Sequence, residues 1–533
     1  MASGLPRLPF RDGIAKKQQI KFSGFDRRDT MTDGALCDAL NLSSELYPTL
    51  GVRDPRRVAP VMVSTPRGIT GGDKLCYVSG DKLYYNGVQV STVSASDKQF
   101  AMLGDYIIIL PDKAYYDIVS GQFGKLEEKY IGAAGAISFA NGTYAGKPAN
   151  GNALITTGTA FTFKVGDAVT ISGCVTHPEN NKTPIIREIS SDKKTLFFYE
   201  NTFAIGSESG AVTVARTVPD MDYICSNDNR LWGCKGDTVY ASKLGDPFNW
   251  NVFDGVATDS FAVDTGSAGK FTGACSYLGY PVFFKEDAIY KVYGSKPSNY
   301  ELLASASLGV AEGSAASLAI AGERLFYLSR TGVMMYTGGI PSPVGEPLGG
   351  ILSQGVGGSD GMRYYLCASN AAGAHEMFVF DTERGMWQRE VCSPAGVCGF
   401  AYVVGQGLYM LERDGVLSFL RGTVPPADYI SEGAVASLAE FGDFTENDPN
   451  VDGVTKLQIR VALDAGAEIS VYIAYDRSGA WQHVKSLTTT PARSFYLAVV
   501  PRRCDSYRVR IVGSGGWRLY SLTRESYSGS ELI

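Results

Sequence analysis

One pattern recurs along this chain and restricts its fold more than any other feature. At Asn227 the sequence reads NDNRLWGCKGDTVYASKLGDPFNW: an apolar run, a polar turn with Gly and Asp, a second apolar run, then a Gly-Asp-Pro stop. The same order returns as GDKLCYVSGDKLYYNGVQV from Gly72, LGDYIIILPDKAYYDIVSG from Leu103 and LGYPVFFKEDAIYKVYG from Leu278. It returns again as GERLFYLSRTGVMMYTGG from Gly322, RYYLCASNAAGAHEMFVFD from Arg363 and GQGLYMLERDGVLSFL from Gly405. Short apolar runs rich in β-branched and aromatic residues, broken by Gly, Asp or Asn, are β-hairpins. Their turns fall near residues 80, 111, 236, 287, 330, 371 and 412. From 236 onward the spacing is about 40–50 residues, the period of a four-stranded propeller blade. The pattern predicts an all-β protein built on a β-propeller of six or seven blades, over residues 61–130 and 218–427.

The gap from 111 to 236 exceeds a blade by about 80 residues, more than a connecting loop needs. Residues 131–217 fill it. FTFKVGDAVTISG and TPIIREISSDKKTLFFYENTF within that stretch read as an inserted small β-barrel. Residues 1–60 are expected to form an N-terminal arm that helps close the propeller, since joining its ends leaves no bare sheet edge. After the Pro-containing RGTVPPADYISEGAV the grammar changes again. Leu457, Ile459 and Val461 alternate with Lys456, Gln458 and Arg460; Ile469, Val471 and Ile473 repeat at period two, as do Tyr507, Val509 and Ile511. This predicts a C-terminal β-sandwich over 428–533.

The 533 residues carry 49 Lys and Arg against 55 Asp and Glu, a formal charge of −6. That balance argues against tight sequence-independent nucleic-acid binding, which needs clustered cations. The ten cysteines are scattered without a Cys-x-x-Cys pair, and the three histidines, His177, His375 and His483, lie far apart, so a zinc site is a poor fit. The cysteines read instead as buried free thiols. The first residues show no apolar signal core, and no apolar run is long enough to span a bilayer.

Catalytic signatures are missing. No sialidase Asp box appears, and DRSGAW from Asp476 misplaces the Asp-box glycine. In GTYAGKP, Pro148 stands where a phosphate loop needs Ser or Thr. The one metal candidate is DPNVDG. Asp448, Asn450 and Asp452 match the first half of a calcium loop, but Ile459 occupies the place of its bidentate Glu, so the run reads more readily as a turn. No enzyme activity and no cofactor are expected.

The order Asn229-Arg230-Leu231-Trp232, then Ala241-Ser242-Lys243-Leu244-Gly245-Asp246-Pro247 and Trp250, resembles a motif of structural proteins in tailed bacteriophages. The N-terminal FSGFDRRDTMTDGALCDALNLSSELYPTLGVRDPR is similar to the opening of the same proteins, and RRCDSYRVRIVGSGGWRLYSLTRE to their closing segment. The architecture resembles the propeller tail-nozzle or hub family. That resemblance implies a virion tail protein, assembled in the host bacterial cytoplasm. It implies copies of itself in a ring around the DNA exit channel, other tail proteins as neighbours, transient passage of phage DNA and no catalysis. Arg230, Trp232, Asp246, Pro247 and Trp250 would be its structural motif. Two alternatives stand beside it: a tail module binding a host receptor or glycan, and a cell-wall hydrolase.

Overall fold

The computed structural model describes residues 13–29, 32–445 and 452–528. Seven antiparallel, blade-like units follow one another at residues 66–92, 99–125, 223–264, 273–306, 319–343, 353–390 and 397–422; the first six have four strands each, and the last has three, to which two more are added from elsewhere in the chain. They are called sheets one to seven below. Every hairpin turn read from the sequence joins the second and third strands of one of them. The reason lies in burial. The second strand of sheet two, Tyr106–Leu110, buries both faces: Ile107 and Ile109 pack toward sheet one, Ile108 and Leu110 toward sheet three. A strand covered on both faces reads as continuous apolar sequence. Arg324–Ser329 and Gly407–Glu412 show the same pattern.

Separate apolar clusters join each sheet to the next. Val78 and Leu83 meet Ile107 and Ile109; Leu103 meets Ile224 and Leu231; Trp232 meets Phe283; Phe284 meets Tyr327; Phe326 meets Tyr364; Tyr365 meets Met410. A seventh cluster returns from sheet seven to sheet one, where Ile69 packs with Ala401 and Val403. There the backbones touch. Gly72 N–H donates to Tyr402 O at 3.1 Å and Val404 N–H to Gly72 O at 2.8 Å. Gly71 is required by this approach, because a Cβ there would lie 1.9 Å from Tyr402 O.

Sheet seven takes its fourth strand, Arg57–Val58, from the N-terminal segment. Phe25 likewise pairs with Trp387 at the outer edge of sheet six. The other N-terminal strands pair elsewhere: Gly13–Gln19 and Leu50–Val52 with Trp517–Ser528, and Ala35–Leu40 with Ala436–Phe444.

Two expectations change here. The C-terminal strands do not stand apart as a sandwich; through Ala35–Leu40 and Gly24–Phe25 they are continuous with sheet six in one fourteen-stranded mixed sheet. Its two arms are linked by a single strand, Asp452–Tyr475, whose register shifts between Val461, Leu463 and Glu468. Residues up to Leu463 pair with Trp517–Ser528 and those from Glu468 with Tyr507–Ser514. Leu457 and Ile459 of one arm and Val471 and Ile473 of the other share one buried core, so the alternation in the sequence is a true record of burial. In the insert, the ladders form an open three-stranded and an open five-stranded sheet joined by a lone Ala168–Ile185 bridge, not a closed barrel. They enclose their own core, centred on Ile137, Phe139, Leu154 and Phe198.

Largely buried carboxylates, each bonded to a cation, tie these parts together and set a pH dependence. Asp112 is bonded to Lys98, Asp381 to Ser44 and Arg384, Glu376 to Arg27, Glu432 to Arg53, and Asp443 to Arg508. Burial pushes each of these carboxyls up, but the hydrogen bonds and neighbouring cations outweigh it and hold each below its usual range. A depressed folded pKa contributes stability that is present above the unfolded value, about 3.9 for Asp and 4.3 for Glu, and is lost as pH falls through the folded value. Glu412 runs the other way: burial raises it, so its contribution is lost as pH rises. With five groups against one, the melting temperature should stay level from pH 7 to about 5 and fall steeply below about pH 4. Scanning calorimetry across that range checks it, and a protein that melts no lower at pH 3 than at pH 7 would refute the assignment.

Candidate functional site

The five motif residues build the second strand of sheet three and the corner that follows its third strand, with Trp232 and Trp250 on opposite faces. Arg230 is 1 % exposed; its Nη1 donates to the carbonyls of Ser242 (2.7 Å) and Asp259 (2.5 Å), and its Nη2 to that of Ala257 (2.8 Å). Trp232 is buried between sheets three and four, with its ring 5.2 Å from Tyr300. Asp246 accepts from Phe248 N–H (2.9 Å) and Asn249 Nδ2 (2.7 Å), and Trp250 Nε1 donates to Pro247 O at 2.9 Å. The corner also holds the insert. Asn249 Nδ2 donates to Asp167 Oδ1 (3.1 Å), Ala168 N–H donates back to Asn249 Oδ1 (2.9 Å), and Arg216 Nη1 donates to Asp167 Oδ2 (2.6 Å). Arg230, Trp232, Trp250, Asn249, Asp167 and Arg216 are buried, and Asp246 is half-buried. The motif therefore builds a corner and a seam, not an open site.

The open site is elsewhere. Between the second and third strands of sheet one and those of sheet seven lies a cleft of about 510 Å³. Its first wall follows from local sequence. Tyr77 and Tyr84 sit directly opposite each other on neighbouring strands and stack at 5.0 Å with their planes 7° apart. Asn86-Gly87, both at positive φ, turn the next hairpin so that Asn86 lines the cleft mouth. The second wall is Tyr409 of sheet seven, with Tyr429 from the following segment set edge-on to it at 6.2 Å. Tyr409 OH donates to Gln406 Oε1 at 2.5 Å. Lys74 and Asp428 add one charge of each sign at the rim, and Val61 and Met62 are exposed beside them. Burial pushes the Tyr409 phenol up to about 12 and raises Tyr77 and Tyr429 as well, so these hydroxyls stay protonated and can donate. Flat aromatic faces beside amide, hydroxyl and charged groups suit a ligand with apolar C–H faces and hydroxyl edges.

The calcium candidates Asp448 and Asn450 lie outside the described residues, as does the side chain of Asp452. Among the described residues no three His, Cys, Asp or Glu side chains are grouped to hold a metal ion, and no helix is long and apolar enough to cross a membrane. The cleft tyrosines carry no sequence signature. The only local hint is the Tyr77–Tyr84 spacing across a tight turn.

No family model and no curated protein matches this chain. Among solved structures it shows weak similarity to diverse β-rich proteins, including bacterial and phage surface proteins. PorZ, a surface component of the type-IX secretion system of Porphyromonas gingivalis, aligns at 13 % identity over 87 % of this chain and 77 % of that one, with a TM-score of 0.28. The endosialidase of phage phi92 aligns at 9 % identity over 87 % and 80 %, TM-score 0.29. Sqt1 of Saccharomyces cerevisiae aligns at 12 % identity over 70 % and 100 %, TM-score 0.32. Likenesses at these scores carry no inference about function.

Proposed function

We propose that this chain is a binding module of a bacteriophage tail, that its seven sheets close into one propeller, and that the cleft where the first and seventh meet takes a host-surface glycan without acting on it. The observation that carries the reading is the cleft itself: stacked Tyr77 and Tyr84 face Tyr409 and Tyr429, with Asn86, Gln406 and Asp428 between them. Its volume falls in the range of about 300–1,000 Å³ common for small-molecule sites, room for more than one sugar ring. The propeller is supported by the cyclic order of apolar clusters and by Arg57–Val58, which lends sheet seven its fourth strand. The tail location rests on the sequence resemblance.

The test is a glycan array with the full chain, followed by titration calorimetry on the best ligand. Tyr84→Ala should weaken binding at least about tenfold, roughly 1.4 kcal/mol. Tyr84 is only half-buried, so its melting temperature should stay near that of the parent. An array without signal, or a Tyr84→Ala protein that binds as the parent does, would sink the reading.

A second reading follows from the burial of the motif. Arg230, Trp232, Asp246 and Trp250 serve only internal contacts, as a purely structural part would need. In that reading copies of the chain form a ring around the DNA exit channel. Electron images showing closed rings, from a protein silent on the array, would favour it over the cleft.

A further inference from the structure

We infer that a second sugar subsite lies at the seam between the insert and sheet three, and that it takes a single neutral or amino hexose while rejecting acidic sugars. The inference takes its ligand class from the glycan reading above, but it stands on different residues. A hollow of about 230 Å³ opens there, between Thr183, Tyr199 and Glu200 of the insert and Asn251, Phe253 and Asp254 of the corner loop. Tyr199 and Phe253 are 53 % and 60 % exposed, two aromatic side chains left in water at the same hollow. An aromatic face in water at a concave site is unfavourable unless something covers it.

The hollow is built, not incidental. Ile185 of its lining packs with Ala168 from the insert and Val252 from the corner loop. Tyr199 N–H donates to Ile185 O at 3.3 Å, fixing one wall. The other wall is pinned from beneath. Arg230 holds the carbonyls of Ala257 and Asp259, and Asp259 Oδ2 accepts from the N–H groups of Gly255 and Val256. Asn251 Nδ2 is anchored on Thr217. The buried phage-like motif thus sets the position of a loop whose outward residues are Phe253 and Asp254.

Charge and size choose the ligand. The lining holds two carboxylates and no Lys or Arg; Lys182, which is not part of the lining, reaches Glu200 at 3.5 Å. Carboxylates accept from sugar hydroxyls or an ammonium and repel a carboxylate-bearing sugar. The volume lies below the roughly 300–1,000 Å³ of drug-sized pockets, which suits one ring.

Saturation-transfer NMR on the full chain tests this, with the methyl glycosides of glucose, glucosamine and glucuronic acid as probes. Saturable transfer to the first two is expected, with glucuronide at least tenfold weaker. Phe253→Ala should reduce glucoside affinity at least tenfold, Tyr84→Ala should leave it unchanged, and Glu200→Gln with Asp254→Asn should bring the glucuronide closer to the glucoside. Phe253 is exposed, so an unchanged melting curve accompanies the loss. No saturable transfer in the parent, transfer unaltered by Phe253→Ala, or transfer lost only in Tyr84→Ala would overturn the subsite. The last of these would leave the first cleft standing, whereas transfer that follows Phe253 alone keeps the seam and leaves the first cleft to its own test on the glycan array.

Discussion

Replacing Trp232 by alanine should cost about 3–5 kcal/mol of stability. The indole is 1 % exposed and fills the space between sheets three and four. Its strand neighbours are small, Cys225 on one side and Ala241 on the other, so neither can close the cavity that truncation leaves. Phe261 at 6.2 Å and Tyr300 at 5.2 Å pack on the ring and would lose that contact. The Nε1–H bond to Asn227 O, at 3.3 Å, adds little beside this. Denaturant titration followed by circular dichroism measures the loss. A midpoint unchanged from the parent would mean that the two sheets are not held through this residue, and the propeller reading would lose one of its seven joints.

Lys98→Met should be equally damaging, at about 3–5 kcal/mol, for an electrostatic reason. The Lys98 side chain is 0 % exposed and its partner Asp112 is 4 % exposed. All three ammonium protons are used, on Asp112 Oδ2 at 2.5 Å, Ser94 Oγ at 2.7 Å and Ser96 Oγ at 2.9 Å. Removing the cation leaves a buried carboxylate that must be protonated or unfold the turn around it. Lys98 also leads into the inner strand of sheet two, and its N–H donates to Arg67 O of sheet one at 2.7 Å. The companion variant Lys98→Met with Asp112→Leu should recover much of the loss, since an apolar pair in place of a buried ion pair is often neutral. A double variant as unstable as the sum of its single changes would show that packing, not the unpaired charge, carries the effect.

How much was legible in the sequence depends on where each residue's partners lie. The second and third strands of every sheet could be read, because both are rich in apolar residues and the turn between them is local. First and fourth strands could not. Ala319–Ala321 and Ser342–Pro343 are too short to show a period, and they are strands only because Arg324–Ser329 and Gly332–Tyr336 offer them an edge. The C-terminal alternation gave burial correctly but read one bent strand, Asp452–Tyr475, as two. The turn chemistry of Asp464 to Gly466 signals a break, and only the pairing on both sides shows that the ladder continues through it.

The sequence alone determined the all-β class and the places of the hairpins, because each follows from side-chain period and from turn residues close by in the chain. Tertiary structure alone decided the pairings and sites that cross the chain. Arg57–Val58 joins Leu417–Gly422, and Ala35–Leu40 joins Ala436–Phe444, through backbone hydrogen bonds that any sequence can make. Tyr77 and Tyr409, like Tyr199 and Phe253, share a hollow only because the sheets and the insert pack as they do. An outward-facing tyrosine on a strand looks the same in sequence whether it meets water or a second wall; the packing of distant apolar faces makes that choice.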